Sequence, residues 1–118
     1  MKHVISLKTH EEYTPEWGNK DRKEADKVLV RWHHLSAKEQ RQCIEISVND
    51  DGKPESRYND DAEFCMMTDS IENLIVNLDG KEVEITEGKQ VLETCGLNML
   101  YAELKKHYAE TDAVDLKN

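Results

Sequence analysis

The sequence has little of what builds membrane spans, disulfide frameworks or paired-cysteine metal sites. Its longest apolar runs are short stretches such as Phe64–Met67, whereas a helix needs roughly 20 apolar residues to span a bilayer. The three cysteines, Cys43, Cys65 and Cys95, are odd in number and far apart, so we expect reduced thiols. No apolar stretch of signal-peptide length follows Met1, which predicts a soluble, cytoplasmic protein.

Basic residues are in the minority. The chain has 16 Lys and Arg against 25 Asp and Glu, a formal charge of −9. Residues 41–118 hold eight of the basic and eighteen of the acidic side chains, a balance of −10. Such a surface repels nucleic-acid phosphates and anionic lipid headgroups. The composition therefore predicts a protein that binds neither nucleic acid nor membranes.

The length of 118 residues predicts one small domain with one core and no deep, lidded pocket. We expect residues 1–118 to form that single domain. Its predicted parts are a β-rich segment over 1–35, a helical segment over 36–108 and a frayed tail over 109–118.

The clearest strand signal lies in residues 27–35, which are rich in β-branched and aromatic side chains. There Val28, Val30 and Trp32 share one face, which is expected to meet the core. Leu29, Arg31 and His33 fall on the opposite face, which is amphipathic. A first, shorter strand is predicted at residues 3–7, giving a hairpin-like N-terminal pair. A third short strand is an option near residues 81–85, and residues 9–26 are predicted to be a long connecting loop.

Helices account for the rest of the predicted fold. Ser36 and Glu39 have the spacing of a capping box, so a helix is expected from Ala37 to about Val48. Apolar residues at spacings of three and four predict a long helix over residues 60–78. A final helical region, broken at Gly96, completes three to four helices. The fold class is therefore predicted to be α+β.

No arrangement of residues indicates catalysis, a cofactor or a metal. His33 and His34 are neighbours on a predicted strand, so their rings should point to opposite faces. The acidic pair Asp50–Asp51 lacks the alternating ligands of a calcium loop, and Gly88–Lys89 lacks a preceding phosphate-binding loop. We therefore predict that the protein is not an enzyme, with no catalytic residues, cofactor or metal.

Three segments carry a resemblance to a known family. In Val28–Gln40 a strand runs directly into a Leu-Ser-x-x-Glu helix start. In Asp69–Tyr108 the sequence Ile-Glu-Asn-Leu is followed by Leu-Asp-Gly-Lys-Glu-Val and an amphipathic helix, and Leu116–Asn118 closes the chain. Together they resemble the tail assembly chaperones of long-tailed bacteriophages and prophages.

The resemblance implies a non-enzymatic protein in the bacterial host cytoplasm. It implies that the protein binds the long, helical, aggregation-prone tape measure protein and keeps it soluble while tail tube subunits assemble around it. It also implies self-association, because many copies would line one client.

The residues predicted to contact a client or a second copy are apolar side chains on the predicted long helix and the last helix, each of which could equally be core. They are Met66, Met67, Leu74, Leu78, Leu100, Tyr101 and Leu104. Two alternatives remain open. One is an acidic nucleic-acid mimic that inhibits a host nuclease, and the other is a small structural tail component.

Overall fold

The computed structural model describes residues 2–114 and confirms an α+β fold. One 3-10 turn, Glu24–Asp26, accompanies the regular elements. The strands are β1 (Glu11–Tyr13), β2 (Leu29–Trp32), β3 (Ile44–Val48), β4 (Pro54–Tyr58), β5 (Thr68–Glu72), β6 (Ile75–Leu78) and β7 (Lys81–Glu84). The helices are α1 (Ala37–Gln42), α2 (Asp60–Met67), α3 (Gly88–Glu93) and α4 (Asn98–Glu110).

The central sheet is antiparallel, with strand order β1-β2-β5. The prediction for β2 is confirmed, since Val28, Val30 and Trp32 are all fully buried. They belong to one cluster that also takes side chains from α2, β5, α3 and α4. The capping box is also confirmed: the Ser36 hydroxyl accepts from the Glu39 backbone N–H, and the Glu39 carboxylate accepts from the Ser36 N–H.

The predicted partner of β2 was wrong. Residues 3–7 form no strand, and Leu7 makes only an isolated bridge to Val114. The partner is β1, which lies inside the segment predicted to be a loop. The Tyr13 ring stacks on the His107 ring, with 3.7 Å between the ring centroids, and anchors that segment to α4. The predicted frayed tail is wrong for Ala109 and Glu110, which extend α4, and residues 115–118 lie outside the described part.

The long helix predicted over residues 60–78 was also wrong. It ends at Met67, and the chain continues as β5 and β6. Ile71 and Leu74 are buried although neither is helical, so apolar spacing that suits a helix did not exclude a strand. Residues 68–72 form the strand β5 because they pair with β2. Asn73, at a φ of 65° and with its amide donating to the carbonyl oxygens of Ala25 and Lys27, then separates β5 from β6.

The helix predicted over residues 37–48 ends at Gln42, and Ile44–Val48 forms β3 instead. Because five strands lie within residues 36–108, the prediction of a helical segment there was wrong. The optional strand near 81–85 is confirmed as β7, which pairs with β6. No helix in the described residues has the length and apolar character needed to cross a membrane.

Candidate interaction surface

The hairpin of β3 and β4 stands apart from the core. All ten strand residues are exposed, and β3 and β4 form a two-stranded sheet of their own. The Cα radius of gyration is 17.6 Å, whereas a compact chain of this length has a radius of about 13.5 Å. We call residues 44–58 the hairpin arm.

One face of the hairpin arm is apolar and open to solvent. Ile46 is 76% exposed and Val48 is 71% exposed. The cross-strand pairs bring Ile44 beside Tyr58 on the same face, while Glu45 pairs with Arg57 on the opposite face. Exposed, contiguous apolar side chains of this kind mark interaction sites on folded proteins.

The two edges of the hairpin arm differ. The Asn59 N–H donates to the Cys43 oxygen at 2.7 Å and the Asn49 N–H donates to the Lys53 oxygen at 2.9 Å. In an antiparallel pair hydrogen-bonded positions alternate, so Ile44, Ile46 and Val48 direct their own N–H and C=O groups outward. On β4 the equivalent outward positions include Pro54, which has no N–H.

The turn of the hairpin arm is held by hydrogen bonds to one side chain. The Asn49 side-chain oxygen accepts from the backbone N–H groups of Asp51 and Lys53, at 3.0 and 2.9 Å. Gly52 supplies the left-handed conformation, with a φ of 76°. The apolar face is therefore presented on a defined hairpin and not on an irregular loop.

His33 links α1, which precedes the hairpin arm in the chain, to β5 of the central sheet. Its Nδ1 lies 2.8 Å from Asp69 Oδ1 on β5, and its Nε2 lies 2.9 Å from Glu39 Oε2 on α1. Burial disfavours the charged ring, but the hydrogen bonds to Glu39 and Asp69 outweigh it and raise the pKa of His33. The doubly protonated ring can donate to both carboxylates, and the raised pKa extends the pH range over which the ring stays charged.

A second apolar segment is exposed at the N-terminal end. We call residues 2–8 the N-terminal arm, in which Val4, Ile5 and Leu7 are 85%, 59% and 65% exposed. The C-terminal end of the arm is attached by the Lys8 N–H, which donates to the Ala113 oxygen at 2.9 Å. The arm contains two lysines and no acidic residue.

The seven residues predicted to bind a client are not brought together on one surface. Most of them fill the core, and only Leu78, at 40%, is an exposed large apolar side chain of the set. Met66 and Tyr101 are half-buried, whereas Met67, Leu74, Leu100 and Leu104 are buried.

The clusters of titratable groups serve structural contacts. Glu103 accepts from the Tyr13 hydroxyl at 2.6 Å and from the backbone N–H groups of Glu16 and Trp17. Burial, then the hydrogen bond to Glu103, raises the pKa of Tyr13 to about 12. His34 contacts Glu11 instead of sharing a partner with His33. Residues 2–114 contain no group of three or more His, Cys, Asp or Glu side chains placed to hold a metal ion.

Sequence reasoning missed the hairpin arm, although its signal is present. Ile44, Ile46 and Val48 alternate with polar residues, and the turn-forming cluster 49–54 follows directly. The capping box at Ser36 instead predicts a helix that continues through this alternation. No family model, curated protein or solved structure matches the chain.

Proposed function

We propose that this protein is a non-enzymatic assembly chaperone that covers apolar segments of a client protein. The observation that carries the proposal is the exposed apolar face of the hairpin arm, with Ile46 and Val48 at its centre. The proposal agrees with what the resemblance to phage tail assembly chaperones implies, namely a tape measure protein as client and action in the host cytoplasm beside tail tube subunits.

The hairpin arm suits a helical, aggregation-prone client. Amphipathic helices bind by laying their apolar side against an apolar surface, and Ile44, Ile46 and Val48 offer a row of such side chains along one strand. The net charge of −9 adds electrostatic repulsion between complexes, which disfavours their aggregation.

The client-binding residues of this proposal differ from those expected from the sequence. Met67, Leu74, Leu100 and Leu104 are buried in the core, so contact with a client would require the core to open. The side chains of Ile46 and Val48 are accessible without any rearrangement.

The test is co-expression with the tape measure protein of the same genome, scored as soluble complex by size-exclusion chromatography. The matched variants are Ile46→Asp on the apolar face and Ser47→Asp on the opposite face, which add the same charge. We expect the unaltered protein and Ser47→Asp to keep the client soluble, and Ile46→Asp to lose most of the complex.

Salt separates the proposal from the acidic-mimic alternative. At about 0.5 M salt exposed charge pairs are largely screened, whereas apolar contacts persist. A complex that survives salt supports the chaperone. A client that stays insoluble, a complex lost in salt, or equal behaviour of the two variants would overturn the proposal.

A further inference from the structure

The outer edge of β3 is an open template for another strand. Within residues 2–114 no strand pairs with it, and Ile44, Ile46 and Val48 each direct a backbone N–H and C=O outward. Unpaired edges of this kind attract further strands. The opposite edge is less suitable, because Pro54 offers no donor there.

The N-terminal arm can offer free backbone N–H and C=O groups at the same spacing as the edge of β3. The bond from the Lys8 N–H to the Ala113 oxygen directs the backbone groups of Lys8 toward the C-terminal segment. In a strand continued from this point, alternate residues face opposite edges. His3, Ile5 and Leu7 would then direct their N–H and C=O groups away from that segment, which gives three free positions at the spacing found on β3.

We propose that the N-terminal arm of one copy adds as a third strand to the β3 edge of a second copy. In the antiparallel register Leu7 lies opposite Ile44 and Ile5 lies opposite Ile46. His3 then lies opposite Val48. In this register Ile5 and Leu7 extend the apolar face of the hairpin arm, because directly opposed residues share a face.

Charge favours this occupant. The N-terminal arm has Lys2 and Lys8 and no acidic side chain, whereas the hairpin arm has four acidic residues and two basic ones. Lys2 and Lys8 fall on the face of the strand that carries Glu45, and their attraction opposes the repulsion between two chains of charge −9. The seven residues of the arm also suffice to cover the five-residue β3.

The contact joins two different surfaces, so each copy donates one arm and accepts one. Such heterologous contacts build rings or open chains. Pairing uses the edge of β3 and leaves its apolar face free. The inference goes beyond the proposed function and is tested without any client, so either can fail alone.

The experiment is sedimentation velocity of the full chain over a range of concentrations. We expect the unaltered protein to rise above the monomer mass of 13.7 kDa as concentration increases. Ile5→Asp places a charge on the apolar face that the added strand would share with Ile46, so this variant should remain monomeric. Its matched control Val4→Asp adds the same charge on the opposite face, across from Ser47 in this register, and should still associate.

Two proline variants, at the paired residues Ile46 and Ser56, test which edge of the hairpin accepts the added strand. Ile46→Pro blocks the β3 edge and should abolish association, whereas Ser56→Pro, at the residue paired with Ile46, blocks the β4 edge and should leave it intact. Neither position donates a hydrogen bond within the hairpin. Circular dichroism confirms that each variant is folded.

Mixing completes the test. Ile5→Asp keeps an intact hairpin and Ile46→Pro keeps an intact arm, so an equimolar mixture should form a dimer of twice 13.7 kDa and nothing larger. A monomeric unaltered protein at every concentration, equal loss in Ile5→Asp and Val4→Asp, or no dimer in the mixture would each overturn the proposal.

Discussion

Strands β2 and β3 carry similar sequence patterns and have opposite surroundings. Val28, Val30 and Trp32 occur at every second position in and beside β2 and are fully buried, whereas Ile46 and Val48 have the same spacing on β3 and are mostly exposed. The difference lies in what covers them. β2 is the middle strand of three and its buried side chains pack with those of the helices, whereas among the described residues β3 pairs with β4 alone. Alternation therefore indicates a strand but does not identify what packs on it.

Substitutions at equivalent points of the two strands should give the largest contrast in stability. Trp32 is fully buried and stacks on Tyr108 at 4.4 Å between ring centroids. Trp32→Ala should lower the free energy of unfolding by about 3–5 kcal/mol, because it removes a large packed ring. Ile46→Ala should change it by less than about 0.5 kcal/mol, because the side chain has few contacts to lose.

Urea unfolding followed by circular dichroism measures both values, at protein concentrations low enough to keep the chain monomeric. Comparable losses in the two variants would mean that the hairpin arm is packed against the core, contrary to the comparison.

The parts of the fold that sequence could predict are those whose local signals and tertiary contacts agree. The Ser36 capping box, β2 and the helix around Leu100 and Leu104 are of this kind. Ile71 shows the opposite case. Its spacing from neighbouring apolar residues suits a helix, yet it pairs with Val30 in the central sheet. Pairing between distant strands has no signature in local spacing, which is why β1 and β5 were missed.

The candidate site was harder to predict for the same reason. Leu74 and Leu100 were candidates because apolar stripes can serve a core or a partner, and the tertiary packing of these two is to the core. Ile46 lies in the segment that the capping box predicts to be helical, so its exposed position on a strand was missed. Exposure, which distinguishes the two uses, depends on the whole fold.

The contribution of the His33 contacts to stability should depend on pH. His33 links Glu39 on α1 to Asp69 on β5, and His10 also faces this group, with its Nδ1 3.7 Å from Asp69 Oδ2. Because the pKa of His33 is raised in the folded state, its stabilisation is fully present below the unfolded value of about 6.5. It is lost as the pH rises through the folded pKa.

His33→Gln should lower the free energy of unfolding by about 1 kcal/mol at about pH 5.5, and by progressively less as the pH rises through the folded pKa of His33. His3→Gln, in the exposed N-terminal arm, is the control and should leave the pH profile unchanged. Urea midpoints at several pH values give the comparison. A constant difference between His33→Gln and the unaltered protein would show that the charge of His33 contributes nothing to stability.

Removal of the hairpin arm should have the smallest effect on the core. Glu45 and Arg57 form a hydrogen-bonded pair by the alternation along the hairpin, and a two-residue Asn-Gly turn can join such a pair. Replacing residues 46–56 by Asn-Gly should leave the free energy of unfolding within about 0.5 kcal/mol of the original, since the excised strand residues are all exposed. The same variant should lose both self-association and client binding. If it unfolds instead, the hairpin arm is part of the folding unit, and its exposed face would have to be explained by stability as well as by binding.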